Sequence, residues 1–361
     1  APRTEWGGVL VHHVPLPQGR ILNLVRRVDR RWLRSPWGGV ANYLATGLGL
    51  GRSLATRHAQ MPFDLVQSTN CGTAGLFVRR CSQRVHLARM SSVRELTFAV
   101  DGQAAFPGAR VMSWMEWIAV RRAHAIYAPS QFTADYLRPR RNQPIAVVRP
   151  PMYLEVDPDE GGLDALLPAR YLLHFGSIGP VKGSDWLAEA LPKVWAKAPD
   201  FTMVWAGRER VPGEYERYQK HWGRDAHRVI YLGAVPKAQL YGILRRAVAA
   251  VLPSRVDNLP NTVIESLLLG VPVVGSAGAS IDELVEPGRS GTLVKIGDAE
   301  GLATALLSTW EGRVSFLGEN FQTPGVLDDF SPQIAANNLL RFAASVSGAG
   351  GKFFERTSVR K

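Results

Sequence analysis

An α/β architecture in two open, parallel-sheet domains is predicted by three features of this chain. Short apolar strands alternate with helical segments. One run, Val251 to Ser276, reads as strand end, loop, helix and buried strand in immediate succession. A length of 361 residues, 46% of them apolar, supplies material for two cores of roughly 150 to 180 residues each. Residues 1–150 are expected to form the first domain, with the Pro150-Pro151 pair opening a linker, and 151–330 the second. Residues 331–346, apolar at Ile334, Leu339, Leu340 and Phe342, read as a terminal helix; 347–361, containing Gly348-Ala-Gly-Gly351, read as a flexible tail.

In the first half, Gly8 to Val14 reads as a strand that puts His12 and His13 on opposite faces, so they are structural and not a ligand pair. Arg20 to Arg34 sets Ile21, Leu24, Val25, Val28 and Trp32 at helical spacing among Arg26, Arg27, Arg30, Arg31 and Arg34, the pattern of a basic amphipathic helix. Such a helix either lies on an anionic membrane surface or packs on its own domain with solvated arginines. Asn42 to His58 reads as a helix weakened by Gly47, Gly49 and Gly51; with no strand before it, this repeat is not a dinucleotide loop. Phe63 to Gln67 is a strand, Gly72 to Arg80 a helix, and Val85 to Met90 the next strand. Trp114 to Ala123 lies in a helix whose Trp114 and Trp117 read as packing or as a substrate platform. Ala125 to Ser130 and Ile145 to Val148 complete the domain.

Charge is uneven along the chain. Residues 1–150 hold 21 Arg, no Lys and seven acidic residues, a net of +14, whereas the remainder is at −2. The basic half favours anionic partners, but no recognised motif accompanies it and nucleic acid is not an expected partner. Cys71 and Cys81 are lone thiols without metal-ligand or disulfide spacing. No apolar run reaches the roughly 20 residues that cross a bilayer. A cytoplasmic protein is expected, either free or peripheral on the inner face of the plasma membrane.

In the second half, Ala249 to Leu252 is a strand end, Pro253 to Leu259 a loop, and Pro260 suits the first turn of a helix that Gly270 stops. Val271 to Val274 is the next buried strand. The loop therefore falls at the carboxyl edge of a parallel sheet, where ligands collect. The N–H groups of Asn261, Thr262 and Val263 would face an anion, most simply a diphosphate. Asp257 before the helix and Glu265 inside it would reach hydroxyls flanking the phosphates. Taken alone, such a pair also reads as a loop cap and a surface ion pair.

The ordered set Asp257-x7-Glu265, Gly270-Val-Pro-Val-Val274, Gly278-Ala-Ser-Ile-Asp-Glu283 and Glu286-Pro-Gly-Arg-Ser-Gly291 resembles the retaining glycosyltransferases of family 4, glycosyl transferases group 1. Upstream, Leu172 to Gly176 with Lys182-Gly183 is similar to that family's phosphate-binding strand and loop, and Val204-Trp-Ala-Gly207 to its next strand. Val229 to Ala234 and a helix from Leu240 to Ala250 complete the pattern, and the resemblance runs from about residue 125 to 310. It implies the GT-B fold: two Rossmann-like domains facing a cleft, with the terminal helix returning to the first domain. It implies a nucleotide diphosphate sugar as donor, held by Gly176, Ser177, Lys182, Gly207, Arg208, Asp257, Asn258, Asn261, Thr262, Val263 and Glu265. Lys182, Asp257 and Glu265 would carry catalysis, with Glu265 on the nucleotide ribose. No metal or other cofactor is expected; Asp157-Pro-Asp159 falls in a Pro/Gly-rich linker and not after a strand. Two positions depart from the family. Ser177 stands where an Arg is usual, which leaves a diphosphate contact to Arg208 or Arg255, and Asp257 is one methylene shorter than the usual Glu.

The acceptor side is less complete. By resemblance the first domain is expected to lack its first strand and Gly-rich loop, or to carry a displaced loop at Pro36 to Val40 with Tyr43. Arg89, Ser91 and Asn70 are the acceptor candidates, Ser91 standing near the place where the family often has a His. The resemblance implies front-face transfer, the leaving diphosphate accepting the acceptor's proton, onto a lipid-linked or anionic glycan of surface-polysaccharide or glycolipid synthesis. The alternatives are an epimerase or phosphorylase of the same fold, and a non-catalytic scaffold.

Overall fold

The structure is a computed structural model that describes residues 3–6, 9–35, 39–81, 84–102, 104, 106–140, 145–159 and 167–346. The predicted tail and most of the Pro36 to Val40 segment lie outside these residues. The chain divides into two units, the first comprising residues 1–148 and those from Asn337 onward, the second Arg149–Ala336.

In the first unit, β1 (Arg3–Trp6) and β2 (Val9–His12) pair antiparallel as a separate hairpin. The Gly8 to Val14 segment is thus no strand of the main sheet. Val9, Leu10 and Val11 are exposed and give it no buried face to dock. The basic segment is also shorter than expected: α1 (Arg20–Val28) gives way to a wide π-turn at Asp29–Leu33. The reason is Asp29. Its buried carboxylate turns inward to accept the N–H of Val40 at 2.9 Å and of Ser35 at 3.2 Å, anchoring the start of α2 (Gly39–Gln60). The glycines of α2 are its packing face and not a weakness: a Cβ on Gly51 would lie 2.9 Å from the Phe77 carbonyl oxygen.

Next come β3 (Leu65–Thr69), β4 (Val85–Arg89), α3 (Arg94–Val100), α4 (Pro107–Arg121), β5 (Ala125–Ala128), α5 (Gln131–Leu137) and β6 (Ala146–Val147). The four strands form a parallel sheet in sequence order. The helix expected at Gly72 to Arg80 is instead one 3-10 turn at Cys71–Thr73 followed by turns, because Gly72 and Thr73 both take left-handed backbone angles.

The second unit carries β7 (Leu172–Phe175), α6 (Ser184–Trp195), β8 (Met203–Ala206), α7 (Glu214–Trp222), β9 (Val229–Gly233), α8 (Lys237–Arg246), β10 (Ala250–Leu252), α9 (Asn261–Leu268), β11 (Val273–Ala277), β12 (Gly291–Lys295) and α10 (Ala299–Trp310). All six strands are parallel, in the order β12-β11-β10-β7-β8-β9. Residues of β7, β8 and β10 are buried on both faces, as helices on each side of a parallel sheet require. Fully buried Trp205 anchors one face, edge-on to Trp222 at 5.4 Å and to His174 at 5.0 Å. Strand order reverses between β7 and β10, so the loops leaving these neighbours diverge and open a crevice at the carboxyl edge.

That crevice depends on close backbone contacts. Gly183 has φ +72, and a Cβ there would stand 1.9 Å from the Pro253 carbonyl oxygen. Gly183→Ala is expected to cost about 2–5 kcal/mol, combining backbone strain with forced displacement of Pro253, measurable as a lowered denaturant midpoint at unchanged slope.

The last helix, α11 (Pro332–Val346), enters the first unit at Asn337. Its Leu339, Phe342, Ala343 and Val346 pack with Val85, Leu87, Tyr127 and Val148 of that unit's core, while Ile334 and Leu340 stay exposed.

Candidate functional site

The residues singled out in the second half gather at the carboxyl ends of β7, β8 and β10. After β7 the chain turns at Gly176 (φ +116), passes Ser177 and enters a 3-10 turn at Pro180–Lys182. Gly207, after β8, comes so near that a Cβ on it would lie 1.6 Å from the Gly176 carbonyl oxygen. Ile178 N–H donates to the Arg208 carbonyl and Arg210 N–H to the Ile178 carbonyl, both at 2.9 Å. On the other side, Arg255 N–H donates to the Val181 carbonyl at 3.0 Å. These ties bring the Lys182 ammonium onto the Asp257 carboxylate in a mostly buried ion pair.

The sequence reading missed what holds this loop. His174 lies in the middle of β7 and is buried. Its Nδ1 donates to the Val251 carbonyl of β10 at 2.8 Å, and its Nε2 accepts from the Ser184 hydroxyl at 2.9 Å; Ser184 Oγ accepts in turn from Gly179 N–H at 3.0 Å. This tautomer follows from the carbonyl, which can only accept. A polar residue inside the apolar run Leu172-Leu-His-Phe175 was the available signal.

Burial pushes the His174 imidazole down to about 4, the Lys182 charge acting in the same direction and the bond to Val251 against it. His86 in the first unit is likewise lowered to about 4, by burial and then by His124, Arg84 and Arg80. Between pH 6.5 and 4 the unfolded chain binds protons that these folded imidazoles refuse. Their contribution is therefore complete above pH 6.5 and is lost as pH falls toward 4, approaching about 3 kcal/mol for each. Melting midpoints followed across that range should fall steeply for the wild type and less for His174→Gln.

Helix α9 begins at Asn261 beyond Pro260 with no side-chain cap. Val263 N–H is spent on the Pro260 carbonyl at 3.0 Å, so of the three groups expected to face an anion only those of Asn261 and Thr262 stand at the open end. Thr262 borders the first loop, its methyl 3.6 Å from a Cβ built on Gly176. Above Asp257, Ala279 and Ser280 both hold left-handed angles, φ +52 and +57, and Ser280 Oγ donates to the Asp257 carbonyl at 3.4 Å. Two consecutive non-glycine residues in this region are local strain stored beside the crevice. Asn258 is half-buried next to them.

Glu265, only 7% exposed, accepts from the Tyr241 hydroxyl at 3.0 Å and from the Lys237 ammonium at 3.4 Å, both on α8. Lys237 also meets Glu155 at 3.0 Å. Burial alone would lower the Lys237 ammonium; its bond to Glu155 and the Glu265 charge prevail and raise it to about 12. Burial, reinforced by Glu265, raises the Tyr241 hydroxyl to about 12. Of the two arginines offered in place of the missing one at Ser177, Arg255 is engaged by Asp185 at 3.0 Å. Arg208 is exposed and has no carboxylate partner among the described residues.

In the first unit, Asn70 is 1% exposed and its amide is committed. It donates to the Ser92 carbonyl at 2.9 Å and to Glu116 at 3.1 Å, and accepts from Ser91 N–H at 2.8 Å. Asn70 therefore organises the loop after β4. Glu116 also accepts from Tyr43 at 2.9 Å and Arg94 at 3.2 Å. Arg89 and Ser91 lie at the carboxyl end of β4.

With this geometry in place, the likeness to known proteins is informative. Residues 169–311 match the family description Glycosyl transferases group 1. The chain is 25% identical over 316 residues to the lipopolysaccharide core biosynthesis mannosyltransferase LpcC of Rhizobium leguminosarum bv. viciae, covering 81% of this chain and 87% of that one. It is 27% identical over 174 residues to a phosphatidyl-myo-inositol mannosyltransferase of Mycolicibacterium smegmatis, covering 48% of this chain and 44% of that one. Among solved structures, sucrose-phosphate synthase of Thermosynechococcus elongatus superposes with a TM-score of 0.66 at 19% identity, over 85% of this chain and 79% of that one. Anabaena HepE in complex with UDP does so at 0.59 and 19%, over 84% and 82%.

Proposed function

The chain is a glycosyl transferases group 1 protein of the GT-B fold, and from that premise we propose that it moves a hexosyl group from a nucleotide diphosphate sugar to a glycan or lipid-linked acceptor with retained anomeric configuration. The observation that carries this reading is the uncapped start of α9 beside Gly176, with Lys182 and Asp257 paired at the neighbouring loop. The donor diphosphate lies against the N–H groups of Asn261 and Thr262, and Lys182, Arg208 and the α9 dipole supply the positive charge. Glu265 accepts from the ribose hydroxyls, and Asp257 and Asn258 meet the sugar. The acceptor hydroxyl oxygen forms the new bond to the anomeric carbon as the bond to the diphosphate oxygen breaks, and the hydroxyl proton passes to that departing oxygen. Catalysis rests on positioning and on charge stabilisation of the leaving group, so no protein base and no metal are called for.

Arg89 and Ser91 are assigned to the acceptor. A lipid-linked acceptor is supported by the lipopolysaccharide and phosphatidylinositol substrates named in the relatives and by α1. Leu22, Val25 and Leu33 of the basic segment pack toward the domain core, whereas Ile21 (79%), Leu24 (61%) and Trp32 (69%) are left exposed beside its arginines. No described helix is long and apolar enough to cross a membrane. We assign this segment to an anionic membrane surface, where each arginine adds on the order of 1 kcal/mol. Two measurements test the proposal. Product formed from an α-linked donor should be α-linked by NMR, an inverted product sinking the retaining mechanism. Trp32→Glu should weaken sedimentation with anionic vesicles, and equal binding would remove the membrane assignment.

A further inference from the structure

A second cavity, of about 610 Å³, lies at the opposite edge of the first unit's sheet from Asn70 and Ser91. It sits between the second half of α2 and residues Phe77 to Cys81, with Arg84 at the amino end of β4. Arg52, Arg79, Arg80 and Arg84 line it together with His58, and none of its lining residues is acidic. None of these arginines has a carboxylate within ion-pair distance among the described residues. Arg84 is the most telling. It is 6% exposed, its Nη2 donates to the Arg79 carbonyl at 2.7 Å, and its buried Nε has no acceptor among the described residues.

A guanidinium out of water without a counter-charge is costly, and three further cations around the same space raise that cost. Arg80 is partly compensated by the Arg121, Arg122 and Ala123 carbonyls at the end of α4, at 3.0 to 3.2 Å. Arg52 and Arg79 are exposed at the cavity rim. His58 Nδ1 accepts the Phe63 N–H at 3.0 Å, which places the proton of the neutral ring on Nε2 and makes it a donor. The field of Arg84 and Arg80 is felt next door, where it adds to burial in holding His86 neutral. Leu54 and Phe77 give the cavity an apolar wall.

We propose that this cavity binds a phosphate group, held by Arg52, Arg79 and His58 over the buried Arg84, with the organic part of the ligand on the Leu54 and Phe77 wall. Arginine suits the role because its planar fork pairs two oxygens of a phosphate at once. The site is separate from the donor crevice, and its ligand is either a free phosphate ester or a lipid phosphate.

The test compares the full chain, Arg52→Ala/Arg79→Ala and the crevice variant Lys182→Met. The double variant changes two exposed residues and should fold, unlike a change at Arg84. Inorganic pyrophosphate is titrated by calorimetry, and sedimentation is measured with phosphatidylcholine vesicles with and without phosphatidic acid. Pyrophosphate affinity reduced about tenfold or more in the double variant but kept in Lys182→Met supports the site and a soluble ligand. A loss of binding confined to phosphatidic acid vesicles supports it with a lipid phosphate. Unchanged binding of both probes by the double variant overturns it. Nucleoside diphosphate binding should survive in the double variant, so failure here is distinct from failure of the donor site.

Discussion

Replacing Lys182 by methionine is expected to lower kcat by about 10²–10³, the usual loss when one preorganised charge aimed at a developing anion is removed. Lys182 holds this rank because its position is fixed from two sides. Its 3-10 turn is bonded to the Arg255 backbone through Val181, and its ammonium rests on Asp257. A cation that needs no reorganisation as the diphosphate departs acts mainly on the transition state, so kcat should fall more than KM rises. The variant also leaves Asp257 without its partner, so its melting midpoint must be measured alongside. Steady-state rates with the cognate donor check the prediction; a loss below threefold would show that Arg208 or the start of α9 carries the charge instead.

The second large effect is expected at Glu265. Glu265→Gln keeps the shape of the side chain and an acceptor for the Tyr241 hydroxyl, but removes the charge that faces Lys237. Hydrogen bonds to a charged acceptor contribute about 1.5–3 kcal/mol, so affinity for the donor nucleotide should fall about 10- to 100-fold. Stability should change by less than about 1 kcal/mol, because Lys237 is partly exposed and keeps Glu155 as a partner. Calorimetric titration beside a denaturant melt separates the two quantities. A variant that binds as the wild type would make Glu265 a structural partner of α8 and nothing more.

The second unit was readable from sequence because its signals are local. Pro260 and Gly270 bracket α9, the apolar runs at β7, β8, β10 and β11 are those of a sheet covered on both faces, and Asp257-x7-Glu265 fixes the loop between them. The residues that hold the site were not readable, since each acts through a distant partner. His174 reaches Val251 across 77 positions, and Glu265 is held by Lys237 and Tyr241 from another helix. In the first unit local rules gave way to packing. The glycines of α2 lower helix propensity, yet they allow the helix to lie against Phe77. Thr73 adopts an angle that its residue type does not announce, which ended the helix expected at Gly72 to Arg80. Asp29, inside the helix expected from Arg20 to Arg34, is drawn inward by the N–H groups of Ser35 and Val40.

The most direct measurement is a thermal-shift panel of UDP, GDP, ADP, dTDP and CMP on the wild type and on Glu265→Gln. One nucleoside diphosphate should raise the wild-type midpoint by an amount that grows with its concentration, and the variant should need about 10- to 100-fold more of it for the same shift. Silence of the wild type across the whole panel would contradict a nucleotide-sugar site at the β7 and β10 crevice.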